Sequence, residues 1–336
     1  MSSNKQSSNK QSNNKRYGIM PHRCRAWVTS CFVAALFIVS ASAAMADSFN
    51  PPWSKPAVNG APFTVPGVDN APDFHGDVNN PDLTVFFAGN QYMAVNALIT
   101  AFRHLHPRYQ HIFAETLPPG ILARQIKEGG LVMGNMRIAL KPDIFTAGHG
   151  RIRQFNQHGW FSKTADYARN HLAIMTYKGN PLHISGWQDL ARRNVRLCMP
   201  NPKTEGIAAH AIIPAITQAG GKKLEQVIYD TKVRQGTTYL TRIHHRQTPL
   251  AIMRKQCDAG AVWFTEARFH SQLPDHPVSM VTLPDDQNHT VTYAAGIMRH
   301  APHAKAAEAF LRFLTGPEGQ AIYQHYGFLP VTGSKP

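Results

Sequence analysis

Between Leu240 and Thr248 the chain reads TRIHHRQ, which sets His244 and His245 side by side between Arg242 and Arg246. Three kinds of chemistry use such groups. Neutral imidazoles ligate transition metals. Guanidinium groups grip an acidic solute through paired N–H donors. The third case is an ordinary solvated basic loop. Neighbouring side chains point opposite ways on a strand and diverge by roughly 100° on a helix, so one of the two histidines is expected to make a direct contact. A metal site would need partners from other segments, and Glu115, His149 and Glu205 are the residues that could join His244 or His245 in one. Arg242 and Arg246 would oppose a cation and favour an anion. Thr237, Thr238 and Trp263 add hydroxyl and indole donors to the candidate contacts.

Catalytic signatures are absent. The chain holds no G-x-S-x-G elbow, no H-E-x-x-H, no G-x-x-x-x-G-K-[ST] loop and no G-x-G-x-x-G fingerprint, so neither an enzyme nor a bound cofactor is expected. A Glu–His pair in a cleft could do acid–base work, which turnover would reveal.

The elements that must position these groups start after a long leader. Residues 1–46 combine a polar, acid-free stretch, basic residues at Lys15, Arg16, Arg23 and Arg25, the apolar run AWVTSCFVAALFIVSASA, and Ala44-Met45-Ala46 before Asp47. That order describes a cleaved secretory signal peptide preceded by a polar extension, and hence an exported, periplasmic protein. The whole chain has 35 Lys and Arg against 20 Asp and Glu; the leader removes six basic residues and no acidic one, leaving 29 against 20, or +9. The remaining basic residues are scattered without interleaved aromatics, so nucleic acid is not an expected partner. Only Cys198 and Cys257 follow the leader, an even pair that export would allow to form a disulfide; two buried thiols are the alternative.

Residues 47–81 are dense in Pro, Gly, Asn and Asp and read as an extended arm. From Asp82 onward apolar runs alternate with helical periodicity. LTVFFA, PDIFTA, HLAIMTY, VRLCMP, DAGAVWF and TYAAGIM have the make-up of buried strands; Val95, Leu98, Ile99, Phe102 and Leu105 trace one helix face, and ILARQIKEGG, IAAHAIIPAITQAGG and AKAAEAFLRFL give further helices. Such alternation predicts an α/β fold with mostly parallel sheets flanked by helices, with ligands at the carboxyl ends of the strands.

The segments DLTVFFAGNQYMAVNALITAF, LARQIKEGG, HLAIMTYKGNPLHISGWQDLARRNVRLCMPNP, DAGAVWF and AAEAFLRFLTGPEGQAIYQHYGFLP resemble the periplasmic molybdate-binding proteins and the wider type II solute-binding family of ABC transporters. The resemblance spans nearly all of residues 82–330. It implies a two-lobed clamshell, with one lobe from 82–168 plus 293–336 and the other from 169–292, closing about a hinge on a small solute. The implied protein is a monomer that hands a small anionic solute of the molybdate type to an inner-membrane permease. A transition metal, a small organic solute, or a sensory or scaffold role without transport are the alternatives. Gly89, Asn90 and Gln91 stand where the family places its first anion-binding Ser, and Glu115-Thr116-Leu117-Pro118-Pro119-Gly120 replaces the second Ser-rich turn. Trp263 falls near a family Tyr. The expected ligand contacts are therefore Asn90, Gln91, Thr116, Gly120, Glu205, Thr237, Thr238, His244, His245 and Trp263.

Overall fold

The computed structural model describes residues 73–133 and 136–331. The expected signal peptide and the arm up to residue 72 lie outside the described residues. Among the described residues no helix is long and apolar enough to cross a membrane.

Thirteen strands are assigned in the described chain: β1 (Phe74–Gly76), β2 (Leu83–Phe86), β3 (Ile112–Glu115), β4 (Leu131–Met133), β5 (Met136–Ile138), β6 (Ile144–Gly148), β7 (Phe161–Asn170), β8 (Leu172–Tyr177), β9 (Leu197–Met199), β10 (Thr238–Leu240), β11 (Ala259–Trp263), β12 (Val278–Thr282) and β13 (Val291–Met298). They form a six-stranded sheet ordered β1-β3-β2-β6-β13-β7, a five-stranded sheet ordered β10-β9-β11-β8-β12, and the β4-β5 ribbon. Both large sheets are mixed, less parallel than the alternation of strands and helices suggests. Parallel ladders join β3-β2-β6 in the first and β10-β9-β11 in the second; the remaining pairings are antiparallel. The reason is that β7 leads directly into β8, and β12 returns to β13 through a segment holding only a 3-10 turn at Asp285–Gln287, so neither crossing between sheets carries the α-helix that a parallel crossover needs. At the crossings Asn288 clamps Leu172, accepting its N–H at 2.9 Å and donating to its carbonyl at 3.0 Å.

Period-two alternation builds the layers. On β2, Leu83 and Val85 join one core cluster with Phe102, Phe310 and Phe313, whereas Phe86 joins Phe113, Phe145 and Phe161 in another. The first cluster is covered by α1 (Tyr92–Leu105), α7 (Ala304–Thr315) and α8 (Pro317–His325); the second by α2 (Pro119–Glu128) and α3 (His149–Gln157). The second sheet repeats the scheme: Leu172 and Ile174 face Trp187 and Ile212, while Ala173 and Met175 face Ile252 and Cys257. Its helices are α4 (Ile213–Gln226), entered through a π turn at Ala208–Ile212, α5 (Gln247–Met253) and α6 (Phe264–Gln272). Burying each large apolar side chain contributes about 1.5–3 kcal/mol.

A disulfide joins Cys198 and Cys257, whose Cα atoms are 5.8 Å apart. Beside it α5 packs so tightly on β9 and β11 that a Cβ at Gly260 would lie 2.2 Å from the Cys198 carbonyl oxygen and 2.4 Å from a Thr248 methyl. Only glycine fits there. This packing fixes where α5, and the residues just before it, meet the first sheet.

Candidate functional site

Sequence pattern sends β2 into a helix at Gly89. The helix opens with a 3-10 turn over Gly89–Gln91 and continues as α1, and no side chain caps it. An uncapped first turn leaves amide N–H groups directed outward and carries the positive end of the helix dipole. Here that end is buried: Asn90 and Gln91 are 3% and 0% exposed. Their side chains are held by tyrosines. The Asn90 amide donates to the Tyr293 hydroxyl, the Gln91 amide donates to the Tyr167 hydroxyl at 2.5 Å, and Gln91 Oε1 accepts from Tyr323 at 2.9 Å. The Gln91 side chain is thus engaged at both ends within the first sheet's own layers, so the group expected to contact solute instead anchors the turn.

The loop TRIHHRQ faces this turn from the second sheet. It is neither strand nor helix: Gln247 and Thr248 N–H groups donate back to the carbonyls of His244 and His245, and the Gln247 side chain accepts from the Arg242 and Ile243 N–H groups. In this tight turn both imidazoles point inward, 3% and 7% exposed, with ring centroids 3.9 Å apart. The divergence expected of a regular element does not hold, and the basic loop is not solvated at its centre; only Arg242 and Ile243 are exposed. A Cβ at Gly89 would come within 3.0 Å of the His244 ring, so the two sides meet in close contact.

Arg246 crosses between the sheets. Its guanidinium is 2% exposed and donates to the Asp73 carboxylate at 2.8 Å, to the Gly89 carbonyl at 3.3 Å and to the Thr116 carbonyl at 3.1 Å, while lying 4.5 Å from the centre of the Tyr92 ring. Asp73 belongs to the end of the arm, which adds β1 to the edge of the first sheet. His245 sits between two buried carboxylates, with Nδ1 3.5 Å from Glu205 and Nε2 3.5 Å from Glu266. Burial alone would pull His245 down, but these carboxylates prevail and raise it to about 9. Glu205 is held below its usual range despite burial, by His245, the Thr241 hydroxyl and the Asn201 N–H. Burial, reinforced by His245 and Arg246, pushes His244 well below the ordinary imidazole range. Behind Arg246, Tyr92 bonds His270 at 2.9 Å, and burial lowers His270 to about 4.

Four atoms in this cluster are buried without a hydrogen bond: Glu205 Oε2, Glu266 Oε1, His244 Nδ1 and His245 Nε2. Buried polar atoms left so are uncommon and point to a function.

The other expected contacts fall in different places. Thr116 lies in the cluster, fully buried. Trp263 borders it, edge-on to Tyr293 across the two sheets at 6.1 Å. Thr237 and Thr238 stand at the amino end of β10, since Thr238 pairs with Leu197; Thr241, at the carboxyl end, is the residue that reaches Glu205. Gly120 is exposed on α2. Of the residues considered for a metal, Glu115 bonds Gln125 at 3.0 Å and is pushed up to about 7, chiefly by burial, and His149 sits exposed against Asp166 at 2.7 Å. They are not assembled with the His pair, and among the described residues no group of three or more His, Cys, Asp or Glu could hold a metal ion. Asp73, Thr241, Arg246, Tyr293 and Glu266 complete the cluster. Glu266 had a readable signal, a carboxylate in the first turn of a helix that follows a buried strand. Asp73 had none, because its Pro-rich surroundings say nothing about a partner 173 residues away.

Known proteins share this architecture. A model of the bacterial extracellular solute-binding protein family matches residues 83–329. The sulfate-binding protein of Synechococcus elongatus is 27% identical over 184 residues, 52% of this chain and 52% of the relative. The thiosulfate-binding protein of Escherichia coli is 28% identical over 176 residues, 46% of this chain and 48% of the relative. The chain thus spans about half the length of these curated relatives. Among solved structures, the periplasmic molybdate-binding protein of Azotobacter vinelandii superposes with a TM-score of 0.60 at 18% identity, covering 74% of this chain and 98% of that one. The sulfate-binding protein of Mycobacterium tuberculosis does so with a TM-score of 0.60 at 18% identity, covering 75% and 87%. The two-sheet α/β architecture is therefore that of periplasmic binding proteins, which bind solutes and are not enzymes. The chain belongs to the bacterial extracellular solute-binding protein family.

Proposed function

We propose that this protein is the exported, periplasmic solute-binding component of an ABC transporter, a monomer that holds a small oxyanion between its two sheets and delivers it to an inner-membrane permease. The observation that carries this reading is the uncapped, buried helix start at Gly89–Gln91, set against Arg246 from the opposite sheet. A helix N-terminus is a ready anion site, and a guanidinium facing it adds the opposing charge. The names of the curated relatives, sulfate- and thiosulfate-binding, support the same class of solute. Asn90 and Gln91 act through the backbone of the turn that their side chains hold in place. The crossings at Asn170–Leu172 and before β13 supply the hinge, and closure around solute is the rotation of one sheet and its helices against the other.

Thermal unfolding of the dialysed protein against sulfate, thiosulfate, molybdate, phosphate and divalent metals tests this. An oxyanion at 100 times its dissociation constant adds about 2.7 kcal/mol. Asn90→Leu, which releases the turn from Tyr293, is expected to lose that gain. If metals alone stabilise the protein, the oxyanion function is wrong.

A further inference from the structure

Three carboxylates are buried where the two sheets meet, and their charge disfavours a fully ionised dianion beside them. Asp73, Glu205 and Glu266 are 2%, 7% and 0% exposed, and they face Arg246 and His245 across the cluster. A carboxylate is an acceptor only. At 3.5 Å the contacts of Glu205 Oε2 and Glu266 Oε1 with His245 are ion-pair separations without a hydrogen bond, so both oxygens keep an unused acceptor position. The other Glu266 oxygen has one long partner, the Trp263 N–H at 3.4 Å. Sulfate, thiosulfate and molybdate have no hydrogen to offer such oxygens near neutral pH, and their charge would be repelled by them. An oxyanion that retains an O–H satisfies both needs: its oxygens accept from the helix start and from the cationic side chains, while its hydroxyl donates to a carboxylate.

We propose that the solute of this cleft is an oxyanion carrying its own hydrogen, of the hydrogen phosphate or phosphonate type, with Glu266 and Glu205 as the acceptors that select it. This inference rests on the oxyanion function proposed above and narrows it away from the solutes named for the relatives. The logic is that of any site built around a hydrogen bond: a ligand lacking the matching group leaves buried polar atoms unpaired and is rejected strongly, by on the order of 10⁴-fold.

Titration calorimetry of the full chain at pH 7 with inorganic phosphate, methylphosphonate, sulfate and molybdate decides it. Phosphate or methylphosphonate is expected to bind at least roughly a thousandfold tighter than sulfate. Glu266→Gln, whose amide can donate, is expected to shrink that ratio by tenfold or more, and Glu205→Gln is the second variant should the first fail to fold. Sulfate or molybdate bound as tightly as phosphate by the unmodified protein overturns this inference and leaves the oxyanion function standing. Absence of binding to all four at millimolar concentration overturns both. A wild-type ratio retained in both variants removes the carboxylates from the selecting role.

Discussion

The two walls of the cleft solve the burial of polar groups in opposite ways. On the first sheet's side Asn90 and Gln91 are neutral and held by tyrosines, Asn90 by Tyr293 and Gln91 by Tyr167 and Tyr323, and the one carboxylate described there at the contact, Asp73, is met by Arg246 from the other side. On the second sheet's side they are ionic and incompletely satisfied, with His245 between Glu205 and Glu266 and four atoms lacking a hydrogen bond. A neutral network fixes geometry at little electrostatic cost, because nothing in it requires a counter-charge. A buried ionic group is stable only with its partners in place, and so it responds to whatever enters beside it. Under the proposed function, the first wall would be a template and the second a sensor of solute chemistry.

That contrast can be broken most forcefully at Arg246. Replacing it with Ala takes the guanidinium from an Asp73 carboxylate buried at 3% side-chain exposure, which is expected to cost about 3–5 kcal/mol in urea unfolding. A loss below about 1 kcal/mol would mean that the crossing ion pair is solvated and the second wall is not ionic in the sense argued. On the neutral wall, Gln91→Leu removes the amide partner of the Tyr167 and Tyr323 hydroxyls, which keep each other, and is expected to cost about 1 kcal/mol. The ordering matters more than either figure, since equal losses would erase the difference between the walls.

How much of this was legible in the sequence depends on where a strand sits. β2, β6, β8, β9, β11 and β13 lie inside their sheets and stand out as apolar runs because both faces are covered, whereas β3, also interior, is four residues ending in Glu115 and gives no such run. β1, β7, β10 and β12 are the edges, and no strand is predicted at them from composition. FSKTADYARN of β7, for example, shows no period-two burial, with three exposed positions in a row after Phe161 and Lys, Asp and Arg along its length, and composition alone does not separate it from a loop. The site divides similarly. His244 and His245 announce themselves by type, yet the turn that aims both inward depends on the Gln247 side chain accepting two backbone N–H groups, a local contact that periodicity cannot show. Asn90 and Gln91 stand out in sequence as the turn after β2, but their tyrosine partners lie up to 232 residues away and read as ordinary core aromatics. Pairings set by tertiary contact carry no local signal.

The finest test separates the walls by pH. His245 is raised from 6.5 to about 9 in the folded protein, so between those values the folded state holds a proton that the unfolded chain has released. Its contribution to stability is fully present below pH 6.5 and is lost as pH rises through 9. Glu115 acts in the same direction over a lower window, from 4.5 to about 7. Urea midpoints taken at pH 7, 8 and 9 are therefore expected to fall for the unmodified protein, and to fall less for His245→Gln, in which that proton is gone. Gln91→Leu lies on the neutral wall and is expected to keep the full decline from its lower starting stability. An undiminished decline in His245→Gln would place the titration elsewhere, and with it the claim that the second wall holds the charge that a protonated oxyanion must meet.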